Sequence, residues 1–311
     1  MATYDVLVAG ELNPDLILSD PNLMPEFGQV ETLVESTELT IGSSSAIFAC
    51  GAARLGLKVA FIGVVGEDLF GRFMLKALEQ RGIDMSPSII SPTQKTGLSV
   101  ILSRGTDRAI LTHLGAINAL QSDMVHDDLL RKARHLHVAS YFLQTALQPG
   151  LADLFQRARS LGLTTSLDTN WDPSGAWKGI DTILPLTDVF LPNEAEALAL
   201  SGETSVEAAL IGLSQTVPVI AVKLGGQGAI ARQGKEIARA PAISVLIVDT
   251  VGAGDSFDAG FVYGHFHHWP LLQCLQLGIA CGSLSLRDHG GTQGQPDLQT
   301  AMQYVSEVDT T

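Results

Sequence analysis

The sequence predicts an α/β fold, a central and mostly parallel sheet flanked by helices on both faces, with a small β-sheet projecting from it. Three observations lead there. From about residue 130 onward, apolar strand-like runs alternate with helical patterns, the rhythm of a parallel sheet covered on both sides. The first third instead crowds strand-like segments together with short helical spacers, which calls for a second sheet. Near the C-terminal end three small residues, Gly252, Ala253 and Gly254, separate a strand-like run from a helical one.

The elements follow in order. YDVLVAG reads as a core strand. DLIL, ETLVESTELTI, TGLSVILS and RAILTHL have strand character, and they place a small lid sheet in segments 12–18, 32–40 and 96–114. Between them SSSAIFACGAARLG and FGRFMLKALEQRG read as helices, the first capped by a serine and the second ended by Gly82. LADLFQRARSLG puts Leu151, Leu154, Phe155, Ala158 and Leu161 on one helical face, with Gly162 as its C-cap. LTTSLD is a strand ending at Asp168, TDVFLP a second, and NEAEALALSG a helix running from Asn193 to Gly202. VPVIAVKLG is apolar almost throughout, as strands buried on both faces are. ISVLIVD, residues 243–249, reads as a strand, TVGAG as a turn and DSFDAGFVYGHF as a helix. With no fixed-period repeat, low-complexity tract or linker, residues 1–311 read as one domain with the lid inserted in it.

Ligands of such sheets sit beyond the carboxyl ends of the strands. Asp168, Asn170, Asn193 and Lys223 are therefore candidates by position.

Composition narrows the partners. With 19 basic and 33 acidic residues the net charge is −14, which argues against a surface built to meet nucleic acid or an anionic membrane. A small soluble partner fits better. The N-terminus lacks the basic start and apolar stretch of a secretory signal, and no unbroken apolar run reaches the ~18 residues of a membrane span. The expected location is cytoplasmic. Cys50, Cys274 and Cys281 cannot pair completely and have no metal spacing, so they read as buried small hydrophobes. HFHH at 265–268 has no carboxylate or cysteine at ligand spacing and reads as a solvated helix end. GQGAIA at Gly226 matches a dinucleotide fingerprint but continues into AIARQGKE, which alternates like a strand; no P-loop motif occurs.

The turn over residues 250–254 carries the chemistry. A helix N-terminus offers unpaired N–H groups and a positive dipole end, and Gly252, Ala253 and Gly254 let an anion approach that backbone closely. Asp255 beside a bound phosphate is repulsive unless it takes a proton from a hydroxyl attacking that phosphate. The plainer alternative is a tight turn with Asp255 as a helix cap. Asn13 and Asp15 suit an Asx turn before a strand.

The run Asp249-Thr250-x-Gly252-Ala253-Gly254-Asp255, followed by Ala259-Gly260-Phe261, resembles the C-terminal signature of the ribokinase-like (PfkB) carbohydrate kinases at every position. GELNPD is similar to the opening sugar-binding strand of that family, VVGEDLFG at 64–71 to a further motif, and SLDTNWDP to its aspartate-rich strand end. LPNEAEA resembles its N-x-x-E element, and VKLGGQGA its nucleotide-side loop.

The resemblance implies an ATP-dependent kinase that transfers the γ-phosphate to a primary hydroxyl of a small sugar or sugar acid. Asp255 would be the general base, with Gly252, Ala253 and Gly254 forming the anion hole. Asn13 and Asp15, with Gly42, Ser43 and Ser44, would meet the sugar. Asn193 and Glu196 would hold magnesium and the nucleotide phosphates, largely through water; their spacing of three puts both on one helical face. Lys223, Gly225 and Gly228 fall on the nucleotide side. Asp249 and the Val251 carbonyl match the place of a monovalent cation such as potassium, supported by residues 285–290. Two lids pairing into a homodimer also follows, which exposed edge strands favour.

One departure stands out. Where the family reads Gly-Gly-x-x-x-Asn, this chain has Ser43 for the second Gly and Ile47 for the Asn. Ser43 to Ser45 either donate to a ligand or cap the helix. An acidic acceptor would draw on Arg104, Arg108 or Lys95. A nucleoside kinase of the same fold would want a wider, more apolar pocket, to which Ile47 and Phe142 would contribute. A non-catalytic sugar sensor is the third reading, and it would be expected to have lost Asp255 or the glycine turn.

Overall fold

The computed structural model describes residues 2–105 and 107–305, so Met1, Thr106 and residues 306–311 of the expected domain and lid lie outside the described residues. The first half comprises β1 (Val6–Ala9), β2 (Pro14–Ser19), β3 (Ser36–Ile41), α1 (Ser44–Arg54), β4 (Val59–Ile62), β5 (Val64–Gly66), α2 (Leu69–Glu79), β6 (Ile89–Ser91), β7 (Leu98–Arg104) and β8 (Asp107–His113). There follow α3 (Asp127–Leu130), β9 (His135–Val138), α4 (Gln148–Ser160), β10 (Thr164–Leu167), β11 (Val189–Phe190), α5 (Glu194–Ser201), α6 (Val206–Leu213) and β12 (Val219–Lys223). The chain closes with β13 (Ala229–Gln233), β14 (Glu236–Ala240), α7 (Ala253–Phe266), α8 (Leu271–Ser285), α9 (Gly290–Gln293) and α10 (Leu298–Met302).

The large sheet has the order β14-β13-β12-β11-β10-β9-β1-β4. Its strands from β4 to β12 run parallel, and β13 and β14 are added antiparallel at one edge. The inner strands alternate between two cores because successive side chains point to opposite faces, whereas the edge strand β14 leaves one face exposed. In β1, Val6 and Val8 pack with α1, α7 and α8, while Leu7 packs with α4 and α6 on the other face. The second sheet has the order β3-β2-β7-β8, with β2 and β7 parallel and the outer pairs antiparallel. Its strands fall in or beside the three segments expected of a small sheet, and every residue of the edge strand β8 is exposed.

The run expected as a strand at 243–249 is not one. Pro241 follows β14 directly and has no N–H to continue a ladder. The chain then crosses to α8: the Ile243 N–H donates to the Ser283 hydroxyl at 3.3 Å, and the Val248 N–H to the Leu286 carbonyl at 2.8 Å. Leu246 and Ile247 are exposed, so this apolar run builds a surface segment. The expected strand over ETLVESTELTI is shorter too, beginning only at Ser36. Of the histidine run, His267 and His268 are exposed, but His265 is half-buried inside α7. All three cysteines are buried, which pushes their thiols up to about 12. Among the described residues no helix is long and apolar enough to cross a membrane.

The topology decides where polar side chains collect. Glu11 and Asn13 follow β1, Ser140 follows β9, Asp168 and Asn170 follow β10, Asn193 follows β11, and Lys223 ends β12. All lie beyond the carboxyl edge of the large sheet, facing the small one.

Candidate active site

The turn into α7 is built on Gly252. It has φ 71°, and a Cβ there would lie 2.8 Å from the Gly291 Cα and 2.9 Å from the Ile47 Cγ2, so a side chain is both strained and obstructed. The Ser256 N–H makes the first bond inside the helix, to the Gly252 carbonyl at 2.9 Å. The N–H groups of Ala253, Gly254 and Asp255 precede it at the positive end of a 14-residue helix.

Two cavities meet at this turn. One, of about 520 Å³, is largely apolar and includes Gly225, Gly228, Ile243, Phe257, Gly282 and Leu286 in its walls. The other, of about 540 Å³, has Asn13, Asp15, Ser43, Ser44, Arg108 and Asp255 in its walls. Lys223, Gly225, Thr250, Ala253 and Gly254 line both.

Asp255 is buried, and its pKa is pushed up to about 7, chiefly by burial and then by the charges of Asp168 and Glu11. Lys223, and to a smaller extent the neighbouring Ser44, work the other way. Lys223 donates to Asp168 at 2.8 Å and to both Asp258 oxygens at 3.1 Å. Carboxylate oxygens of Asp168, Asp255 and Asp258 lie within 4.8 Å of one another. Burial opposes the charge on Lys223, yet Asp168, Asp258 and Glu196 outweigh it and hold the ammonium protonated. Burial likewise opposes ionisation of Asp168, which Lys223 nevertheless keeps below the ordinary carboxylate range, while burial drives Asp258 well above it.

Asn193 caps α5 in a reciprocal capping box. Its side-chain oxygen accepts from the Glu196 N–H at 2.9 Å; Glu196 accepts from the Asn193 N–H at 2.9 Å and from its side-chain amide at 2.6 Å. Glu196 is raised to about 7 by burial and by Asp168, against Lys223. Both residues line the second cavity.

On the acceptor side Asp15 is raised to about 7, mainly by burial, with Arg108 opposing it; Gly42 backs its carboxylate. The serine run, open between ligand contact and capping, is held by the protein. Ser43 caps α1 by accepting from the Ala46 N–H at 3.0 Å and donates to the Glu11 carbonyl at 2.6 Å. Ser45 donates to the Glu11 carboxylate at 2.6 Å, and Ser44 lines the second cavity beside Asp255. Ile47 joins Ile101, Ile110, Ile117 and Leu143 in an apolar wall. Phe142 is not part of that wall, because it packs edge-on between Tyr141 and Trp177 in the core. Arg104 pairs with Asp107 at 3.2 Å, leaving Arg108 as the expected lid cation that lines the cavity.

Asp249 accepts from the Val251 N–H and the Gly290 N–H, each at 3.0 Å, which draws residues 249–251 against residue 290. Sequence reasoning missed Glu11 and Asp258. The available signals were an acid directly after a core strand, and an acid one helical turn beyond Asp255.

The pfkB family carbohydrate kinase profile matches residues 4–298. A 2-dehydro-3-deoxygluconokinase of Bacillus subtilis is 30% identical over 302 residues, covering 92% of this chain and 92% of that protein. The ribokinase of Haemophilus influenzae is 28% identical over 310 residues, 97% of this chain and 98% of its own. The structure of Arabidopsis thaliana ribokinase complexed with ribose and ATP has a TM-score of 0.85 at 22% identity, over 99% of this chain and 100% of that one. The fold, the glycine turn and a match running almost from end to end agree: this protein belongs to the pfkB family of carbohydrate kinases.

Proposed function

We propose that the protein transfers the γ-phosphate of ATP to a primary hydroxyl of a small sugar or sugar acid, with Asp255 as general base. The observation that carries this reading is the place of Asp255, buried at the N-terminus of α7 where an apolar cavity and a polar one meet. The apolar cavity suits a purine, and Gly225 and Gly228 leave room for the phosphates that follow it. The N–H groups of Gly252 to Asp255 stabilise the charge on the transferred phosphoryl group, an interaction often worth about 3 kcal/mol. Asn13 and Asp15 hold the acceptor. As its hydroxyl oxygen bonds to the γ-phosphorus, Asp255 takes the hydroxyl proton and the bond from phosphorus to the ADP oxygen breaks.

The donors fit magnesium held through water, since both Glu196 oxygens are already committed to Asn193. Bound with ATP, the ion would neutralise charge on the β- and γ-phosphates. The loop drawn together by Asp249, with the Val251 carbonyl, fits a monovalent cation, and a potassium titration that leaves turnover unchanged would remove that part of the proposal. The small sheet serves as a lid over the acceptor and excludes water, and its exposed β8 edge pairs with a second copy. Arg108 supports an acidic acceptor, because a guanidinium grips a carboxylate through two parallel bonds.

The test is ADP release from ATP and magnesium against sugars, sugar acids and nucleosides, with Asp255→Asn beside the wild type. One sugar class should drive release, and the variant should lose about two orders of magnitude or more. The apolar wall of Ile47, Ile101 and Ile110 favours a nucleoside acceptor as the second reading, and a response confined to nucleosides would select it. Binding without release would favour the sensor.

A further inference from the structure

We infer that Glu11 is the positioning residue of this site, holding the first turn of α1 against the glycine turn that carries Asp255; this rests on the reading of Asp255 as base. Glu11 is 3% exposed and carries three donors on its carboxylate. The Ser45 N–H reaches it at 3.2 Å, the Ser45 hydroxyl at 2.6 Å and the Ser140 hydroxyl at 2.9 Å. Its own carbonyl accepts from Ser43 at 2.6 Å, and Ser140 accepts in turn from the Asn170 amide at 3.2 Å. One acid thus ties the carboxyl ends of β1, β9 and β10 to the N-terminus of α1.

Backbone conformation points to the same hub. Among the described residues, non-glycine positive φ occurs at Ser43 (69°), Ser140 (52°) and Asn170 (52°), besides Gln29, Trp177 and His268. Each such residue is strained and persists only where its surroundings over-determine it. The first three converge on Glu11 and line the acceptor cavity with it. Approach is close as well: a Cβ on Gly10 would fall 2.0 Å from the Ser45 hydroxyl oxygen. The consequence for chemistry runs through the first turn of α1. Ser44 lines the cavity with Asp255 and Ile47 packs on Gly252, and the neighbours of Ser44 on both sides are fastened to Glu11, so the turn that carries Asp255 inherits their position. This network occupies the turn where the family pattern has the Asn that Ile47 replaces.

The experiment compares Glu11→Ala, Glu11→Gln and Ser44→Ala in the full chain, with thermal stability recorded for each. Glu11→Ala should lower kcat by about tenfold to a hundredfold while the KM for ATP moves less than about twofold, the result of misaiming a group near the reaction. Glu11→Gln keeps an accepting oxygen and faces a hydroxyl that can rotate, so it should recover to within about threefold of wild type. The losses of Glu11→Ala and Ser44→Ala should not multiply in the double variant. In the absence of any substrate, amide exchange at Ser45 and Ala46 should accelerate by about tenfold in Glu11→Ala while α4 is unchanged. Turnover of Glu11→Ala at the wild-type rate, equal impairment of Glu11→Gln, or multiplying losses would overturn the inference. Should the wild type transfer phosphate to nothing, the kinase reading fails separately, and exchange at Ser45 still decides: unchanged protection rules out the Glu11 tie.

Discussion

The Lys223 ammonium lies 2.8 Å from the Asp168 carboxylate, joining the carboxyl ends of β12 and β10 directly beneath the turn into α7. Asp258 accepts from the same ammonium at 3.1 Å, and Asp255 stands one helical turn before Asp258. A single cation thus offsets several buried acids.

Replacing that cation should therefore be severe. Lys223→Met leaves the buried Asp168 carboxylate without its cation, and the expected loss is about 3 kcal/mol in urea unfolding. The same change removes the ammonium that favours ionised Asp255, so the acidic limb of kcat/KM should move to higher pH. An unchanged unfolding midpoint together with an unchanged limb would show that Lys223 compensates nothing.

The pH profile follows from the role proposed for Asp255. Asp255 is pushed from 3.8 to about 7, and only its ionised form can take a proton, so kcat/KM should rise toward a plateau as pH passes about 7. Stability should move in the opposite direction. A carboxyl with a raised folded pKa binds more protons in the native state, so its contribution is complete below about 4 and is lost as pH rises through about 7. Asp15 and Glu196 are raised to about 7 as well and add to the same slope. Unfolding midpoints measured at about pH 5 and pH 8 check the sign, and Asp255→Asn should flatten the difference.

Gly252→Ala should affect folding and catalysis together. The new methyl group would meet Gly291 and Ile47 at a backbone angle suited to glycine, for about 2 kcal/mol of destabilisation. Because relief requires the N-terminus of α7 to shift, kcat should fall more than ATP binding does. Calorimetry with ADP alongside turnover separates the two.

Arg108→Gln sorts the acceptors. If the guanidinium grips a carboxylate, KM should rise by about tenfold to a hundredfold for acidic sugars and stay constant for neutral ones. A uniform change across the panel would count against an acidic acceptor.

Much of this was legible in residues taken alone. The alternation after residue 130, the caps at Asn193 and Gly202, and the glycine turn before Asp255 all depend on spacing and on backbone freedom, which are local. The segment at 243–249 misled because an apolar, β-branched run looks the same in a ladder and on a surface; Pro241 and the path to α8 decided between them. Phe142 misled for a similar reason, since side-chain type does not say whether it faces a cavity or packs in the core.

What the sequence determined by itself was the fold class, the glycine turn at a helix N-terminus and the acid that stands there, because each rests on neighbours along the chain. Only the tertiary structure decided that Lys223 serves Asp168 and Asp258, and that Ser43 and Ser45 turn inward to Glu11. Those partners are separated by tens of positions, and burial is what makes their charges and hydrogen bonds matter. Burial is a property of packed elements and not of spacing.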